Sequence, residues 1–333
     1  FAIKSRGTDS TGTVIEATDL FTKDNQALGI QRNRRTEYRI TRLDNERSFI
    51  QHIHTYPINI EARYVLTYAA GEPPSNSVTG LITLEMNASM ILLPKEPMKQ
   101  RLADQRVGWF ARSYVDYGAD EQRATSRRYL DRWRLEVKPG DEEKFKRGEL
   151  VEPKQPIVYY IDPATPAKWV PYLKQGVEDW QKGFEAAGFK NAIIAKEAPS
   201  PEEDPTWSPE DARYSVIRYF ASDIQNAYGP HVSDPRSGEI LESDIGWYHN
   251  VMNLLRNWFF IQTAAVNPDA RSVKFDDEVM GRLIRFVSAH EVGHTLGLPH
   301  NFASSVAYPV EKLRDPAFTK EFGTAPSIMD YAR

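Results

Sequence analysis

The chain has 333 residues, no cysteine and a formal net charge of −4, with 41% hydrophobic and 26% charged residues. That length accommodates two domains, and the composition is that of an ordinary globular protein. The acidic balance argues against a nucleic-acid partner, which needs clustered positive charge, and the missing cysteines exclude disulfides and thiol nucleophiles.

Residues 1 to about 137 read as mostly β. Runs rich in β-branched and aromatic residues cover 38–43, 49–56, 60–69, 81–86 and 89–93. Turn signals separate them at Asp44-Asn45 and across 71–76. His52 and His54, two apart on a predicted strand, point to one side. They are read as an exposed pair in preference to a second metal site. Arg123, Arg127, Arg128, Arg132 and Arg134 are read as a solvated helix face beside acidic partners. Residues 138–155 are dense in Lys, Glu, Asp, Gly and Pro and read as a solvated connector. This places a domain boundary near residue 152, with a mostly β accessory domain over 1–151 and a second domain over 152–333.

The second domain opens with a short apolar strand at 156–161. Trp169, Leu173, Val177, Trp180, Phe184 and Ala187 then recur at spacings of four and three, predicting one helix with a continuous apolar stripe, closed by Gly188. Strands follow at 191–195 and 215–220. A strand over 227–233 leads into a turn at 234–238 and a further extended run at 239–248. Pro230 suits a sheet edge, where no ladder bond is required of it. Val251, Leu254, Leu255, Trp258 and Phe259 predict a helix over about 248–265. The apolar run there is broken by Asn253, Arg256, Asn257 and Gln262, so no transmembrane span is expected. A last long helix starts near Asp276-Asp277, whose carboxylates suit the positive end of its dipole. Val279, Leu283, Phe286 and Val287 anchor it in the core.

That helix carries His290-Glu291-Val292-Gly293-His294-Thr295-Leu296-Gly297-Leu298-Pro299-His300. His290 and His294 lie one turn apart on one face, so both imidazoles can reach one ion. Glu291 is turned by about 100° from His290 and can hold a water beside the metal without ligating it. Gly297 lets the chain leave the helix through a conformation that a residue with a Cβ resists, bringing His300 round as a third ligand. Three protein ligands leave one position open, the arrangement of a catalytic and not a structural zinc. Paired histidines on a helix are ordinarily core or surface residues, but the added glycine and third histidine make that reading hard to sustain. His231 and His249 are read as non-ligands, because the three motif histidines suffice. Downstream, Ser327-Ile328-Met329-Asp330-Tyr331 has the S-x-M-x-Y form of a Met-turn.

The two motifs together resemble the metzincin clan of zinc endopeptidases. The fuller string Gly293-His294-Thr295-Leu296-Gly297-Leu298-Pro299-His300-Asn301-Phe302 resembles a bacterial met-zincin group that carries accessory domains of unknown function. The resemblance implies an α+β architecture: a metzincin-like domain with a twisted mixed sheet and long active-site helix, preceded by the mostly β accessory domain. It implies Zn2+ bound by His290, His294 and His300, Glu291 as general base and Met329 as an apolar floor. Tyr331 would act near the metal, as a hydrogen-bond donor or as a ligand. It further implies that the strand over 227–233 is a sheet edge that binds a polypeptide substrate as an added strand. The expected activity is hydrolysis of peptide bonds by zinc-activated water. The alternatives are a catalytically silent peptide-binding module and a zinc amidase acting on a non-protein substrate. The start at Phe1, with no charged-then-apolar leader after it, and the stop just past Tyr331 lead to the expectation that something preceding Phe1 has been removed and that the natural chain continues further. A secreted, periplasmic or cell-surface location is expected with it.

Overall fold

The computed structural model describes residues 2–6, 12–75 and 77–331. Two compact units account for it, residues 1–92 and 93–333.

The first unit is built on a three-stranded antiparallel sheet of Ile40–Thr55, Asn59–Ala70 and Leu81–Ile91, in that order. Alternation along the central strand sends Ala62, Tyr64, Leu66, Tyr68 and Ala70 to one face, and all five are buried. The short helix Thr18–Thr22 covers that face, with the Phe21 ring against Tyr64. A two-stranded ribbon pairs Ile3–Arg6 with Thr13–Ile15. The predicted strands 38–43 and 49–56 are one strand here. Asp44 accepts hydrogen bonds from the N–H groups of Glu46 and Arg47, so the Asp44-Asn45 signal produces an irregularity within the strand and no chain reversal. The runs 81–86 and 89–93 likewise fuse, because the long partner strand carries Asn87 and Ala88 in its ladder opposite Arg63 and Ala62. His52 and His54 stack on each other with ring centroids 4.4 Å apart.

The second unit contains a five-stranded sheet in the order Ala227–Tyr228, Ile245–Tyr248, Ser215–Phe220, Ile157–Ile161, Ile193–Glu197. All pairings are parallel except that of the edge strand Ala227–Tyr228, which runs antiparallel to its neighbour. The helices Val170–Glu178 and Asp277–Thr295 contribute Leu173, Val177, Ile284, Val287 and Val292 to the core formed with Ile157, Tyr159, Ile161, Ile217, Ile245 and Trp247. The result is a mixed α+β protein with a mostly β N-terminal region. No helix among the described residues is long and apolar enough to cross a membrane.

Several local expectations change in the second unit. The predicted helix over 169–187 is two helices, Val170–Glu178 and Gln181–Ala186. The break at Asp179-Trp180 is held from outside: Arg285 donates twice to the Asp179 carboxylate, and the Trp180 indole N–H donates to the Ala289 carbonyl. Gly188 closes the second helix at φ 94°, as its position predicts. The arginine run is not on a helix: Arg123 precedes the strand Thr125–Leu130, Arg127 and Arg128 lie in it, and Arg132 and Arg134 follow it. Arg127 pairs with Asp116 across the hairpin to Ala111–Asp116, and Arg134 pairs with Glu136 and Glu239. Residues 138–155 are no free connector. They contain a short helix, Glu142–Lys146, and the bridge Val151↔Phe189, with Val151 buried against Phe189 and Ala192. Residues 93–151 belong to the second unit and are tied to the residues after them, for example by Trp133 Nε1 donating to the Thr295 carbonyl and Arg132 N donating to the Gly238 carbonyl. Contacts therefore divide the chain after Leu92, whereas the charged stretch in the sequence suggests a division near 152.

Candidate metal centre

The last two turns of the helix Asp277–Thr295 present His290 and His294 from a rigid support. The helix then ends in a Schellman motif: Leu298 N donates to the Gly293 carbonyl and Gly297 N to the His294 carbonyl. Gly297 sits at φ 105°, which disfavours any L side chain. A Cβ there would also overlap the Trp109 indole and the Asp131 backbone. This turn returns the chain so that His300 faces the helix, with His294 Nε2 3.2 Å from His300 Nε2. One nitrogen from each of His290, His294 and His300 lies within 4.8 Å of the other two. Among the described residues, no other group of three His, Cys, Asp or Glu side chains converges in this way.

Two backbone carbonyls fix the rings. His290 Nδ1 is 2.7 Å from the Ile328 carbonyl and His294 Nδ1 is 2.8 Å from that of Leu298. A carbonyl can only accept, so both Nδ1 atoms carry the proton and each Nε2 is left with its lone pair. Burial holds His294 below its ordinary pKa, partly offset by the Leu298 carbonyl, which favours the neutral ring that ligates metals. The donor set of three imidazoles in one niche, two with their outer N–H groups anchored, suits Zn2+.

The turn around Met329 is tied to the same niche. Ile328 supplies the carbonyl under His290, and Asn301 N donates to the Met329 carbonyl at 2.8 Å. Met329 is buried, its sulfur where a side chain on Gly293 would have to go. Tyr331 is half-exposed, its ring centroid 4.3 Å from His300 and 5.6 Å from His290.

Glu291 is buried beside the histidines. Burial pushes its carboxyl up to about 7, against a hydrogen bond from the Gly229 backbone N–H that pulls it down. Gly229 comes so close that a Cβ on it would overlap the Glu291 backbone oxygen. A cleft of about 260 Å³ joins these groups. Asn226, Ala227, Tyr228 and Gly229 form one wall, and Val251, Leu254, Trp258 and Phe286 form an apolar one.

The segment 227–233 is not the single strand expected. Ala227–Tyr228 is the edge of the five-stranded sheet, while Val232–Ser233 pairs with Ile240–Glu242 in a separate ribbon. The break falls at Gly229-Pro230, where the backbone bends against the helix and proline lacks an N–H for a ladder. His231 and His249 lie outside the three-histidine group. His231 Nε2 is 3.0 Å from the Asp131 carboxylate, and His249 Nδ1 is 2.6 Å from the Tyr219 hydroxyl. Sequence reading singled out neither Gly229 as a partner of Glu291 nor Asp131 as the partner of His231. The Ala227-Tyr228-Gly229-Pro230 string hints at a tight approach but does not say to what.

Residues 272–333 match the family described as Met-zincin, and residues 1–138 match one described as a domain of unknown function (DUF5117). The C-terminal segment with its histidine triad is thus of the met-zincin kind, preceded by an N-terminal domain of unknown function. No curated protein and no solved structure matches the chain.

Proposed function

We propose that the chain is a zinc-dependent endopeptidase whose second unit is a metzincin-like catalytic domain. The observation that carries this reading is the convergence of His290, His294 and His300 beside buried Glu291 in an open cleft, within a segment that matches the Met-zincin family. His290, His294 and His300 would hold the ion. When bound, zinc supplies Lewis acidity toward water and a peptide carbonyl.

The remaining work falls to the chain's own residues. Glu291 takes the proton of the attacking water as the water's oxygen bonds to the carbonyl carbon. It then delivers that proton to the amine as the C–N bond breaks. The Gly229 N–H fixes the carboxylate for both transfers. Tyr331, at the open side of the triad, donates a hydrogen bond to the oxygen that becomes negative. Met329 wedges the turn under the helix and so holds the Ile328 carbonyl on His290. An extended polypeptide is read along the edge strand Ala227–Tyr228, with a side chain entering the apolar wall at Trp258 and Phe286.

The presence of Glu291 weighs against a silent binding module, since loss of that one residue is the simplest route to silence. A location outside the cytoplasm rests on the family resemblance, and cell fractionation that recovers the protein in the cytoplasm overturns it. The functional reading is tested by removing metal with a chelator and restoring it. Cleavage of an unfolded protein should stop and return with about one equivalent of zinc per chain. Cleavage that survives complete zinc removal contradicts the reading, and cleavage confined to cell-wall peptides would move it to the amidase alternative.

A further inference from the structure

A second cavity of about 520 Å³ lies within the second unit, apart from the cleft that holds the triad. Its size falls in the range of about 300–1,000 Å³ typical of small-molecule sites. Trp109, Trp133, Trp180 and Phe184 give it an aromatic wall, and Leu296 and Leu298 close it on the side of the active-site helix. Two arginines, Arg101 and Arg132, are also part of the lining.

The charge there is not balanced. Asp104 reaches the cavity but is taken by Arg106, which donates to both of its oxygens at 2.9 and 2.5 Å. Glu136 and Glu239, the carboxylates whose charges reach Arg132, are both shared with Arg134, at 3.0 and 3.4 Å. Arg132 donates from Nη2 to the Lys99 carbonyl, yet its Nε is buried with no hydrogen-bond partner. Burial first, and then the like charge of Arg101, hold the Arg132 guanidinium below its ordinary pKa, offset in part by Glu239. That Nε is closed to a ligand, but Arg101 and Arg132 are like charges that repel each other, and an anion placed beside the two relieves that repulsion.

We infer that this cavity is a binding site for a medium-chain fatty acid or an acid of that build, its hydrocarbon body among the tryptophans and its carboxylate on Arg132 and Arg101. Gly183 leaves the room. It sits inside the helix Gln181–Ala186 and lines the cavity, and a Cβ built on it meets nothing within 4 Å. A leucine at 183 therefore enters space that the protein leaves open, and it is the better helix former.

Decanoate is titrated into the intact zinc-loaded chain below its micelle threshold, with decanol as the uncharged probe, followed by tryptophan fluorescence and calorimetry. The proposal predicts saturable binding of one decanoate per chain, with decanol weaker by about tenfold or more, the weight of a charge-assisted pair. Gly183→Leu should abolish decanoate binding at an unchanged unfolding midpoint. Arg101→Gln, at an exposed position, should weaken decanoate and leave decanol unaffected. Equal affinity for the two probes, absence of saturable decanoate binding, or wild-type binding by folded Gly183→Leu would each overturn it.

Discussion

The sulfur of Met329 lies against Gly293, in the space that a side chain at 293 would occupy, with the Trp180 ring as a second neighbour. Gly293 falls between the two helical histidines, so the Met-turn and the metal-presenting turn of the helix are packed backbone to side chain. The contact also brings Ile328 to His290, whose Nδ1 proton its carbonyl receives.

Gly293→Ala should therefore push Met329 away although alanine is the better helix former. We expect a loss of about 1–3 kcal/mol from overpacking. Zinc affinity should fall about tenfold or more as the His290 carbonyl partner shifts. Thermal unfolding with a chelator-competition titration checks both. A more stable variant with unchanged zinc affinity would show that the contact is incidental.

Gly229→Ala acts on the base and spares the ligands. The added methyl overlaps the Glu291 backbone oxygen and crowds the Thr295 methyl, so residue 229 must retreat and its N–H must leave the Glu291 carboxylate. Turnover should drop by about 10²-fold, the lower range for a positioned proton-transfer group, while zinc content stays at the wild-type level. Steady-state kinetics beside metal analysis decides it, and loss of zinc in parallel with activity would refute the assignment.

Tyr331→Phe removes only the hydroxyl. A fall in kcat of about 10²-fold with unchanged KM and full zinc content is expected for a donor to the developing oxyanion. Reduced zinc content would make the phenol a ligand, and unaltered kinetics would remove it from the mechanism.

Asp131 is buried and receives His231 at 3.0 Å and Arg112 at 3.0 Å. Burial alone would raise its carboxyl, but His231 and then Arg112 more than offset this and hold it below the usual range. A depressed folded value means that its contribution is present above the unfolded pKa, about 4, and is lost as pH falls through the folded one. Asp131→Asn should cost about 2 kcal/mol at neutral pH, the scale of hydrogen bonds to charged groups. The difference from wild type should narrow below about pH 4. Urea unfolding at two pH values tests this, and a gap that is constant with pH would contradict it.

What the sequence makes legible is local. The ligand set and its turn are legible because they rest on helix spacing and on bonds of short range, those of the Schellman motif and of His294 to Leu298, whereas the Ile328 carbonyl that fixes His290 arrives from 38 residues further on. The helix over 169–187 is misread as continuous because its break depends on Arg285 and Ala289, more than a hundred residues further on. The same holds for Asp131 and His231, and for Gly229 against Glu291, where nothing in the neighbouring residues signals the partner. Residues 138–155 look solvated by composition because Phe145 and Val151, two of their three large apolar members, are diluted among charges and the third, Leu150, is exposed. Phe145 and Val151 still find Phe189 and Ala192. Period and propensity report what a segment could bury, and not what arrives to bury it.

The central claim is that Glu291 moves the proton for peptide hydrolysis at a three-histidine zinc centre. Digestion of unfolded, dye-labelled casein by the zinc-loaded chain, with zinc-loaded Glu291→Gln in parallel, tests it most directly. The account predicts cleavage by the wild type and a rate lower by about 10³-fold or more in the variant at equal zinc content. Equal cleavage by the two proteins, or none by either, would contradict it.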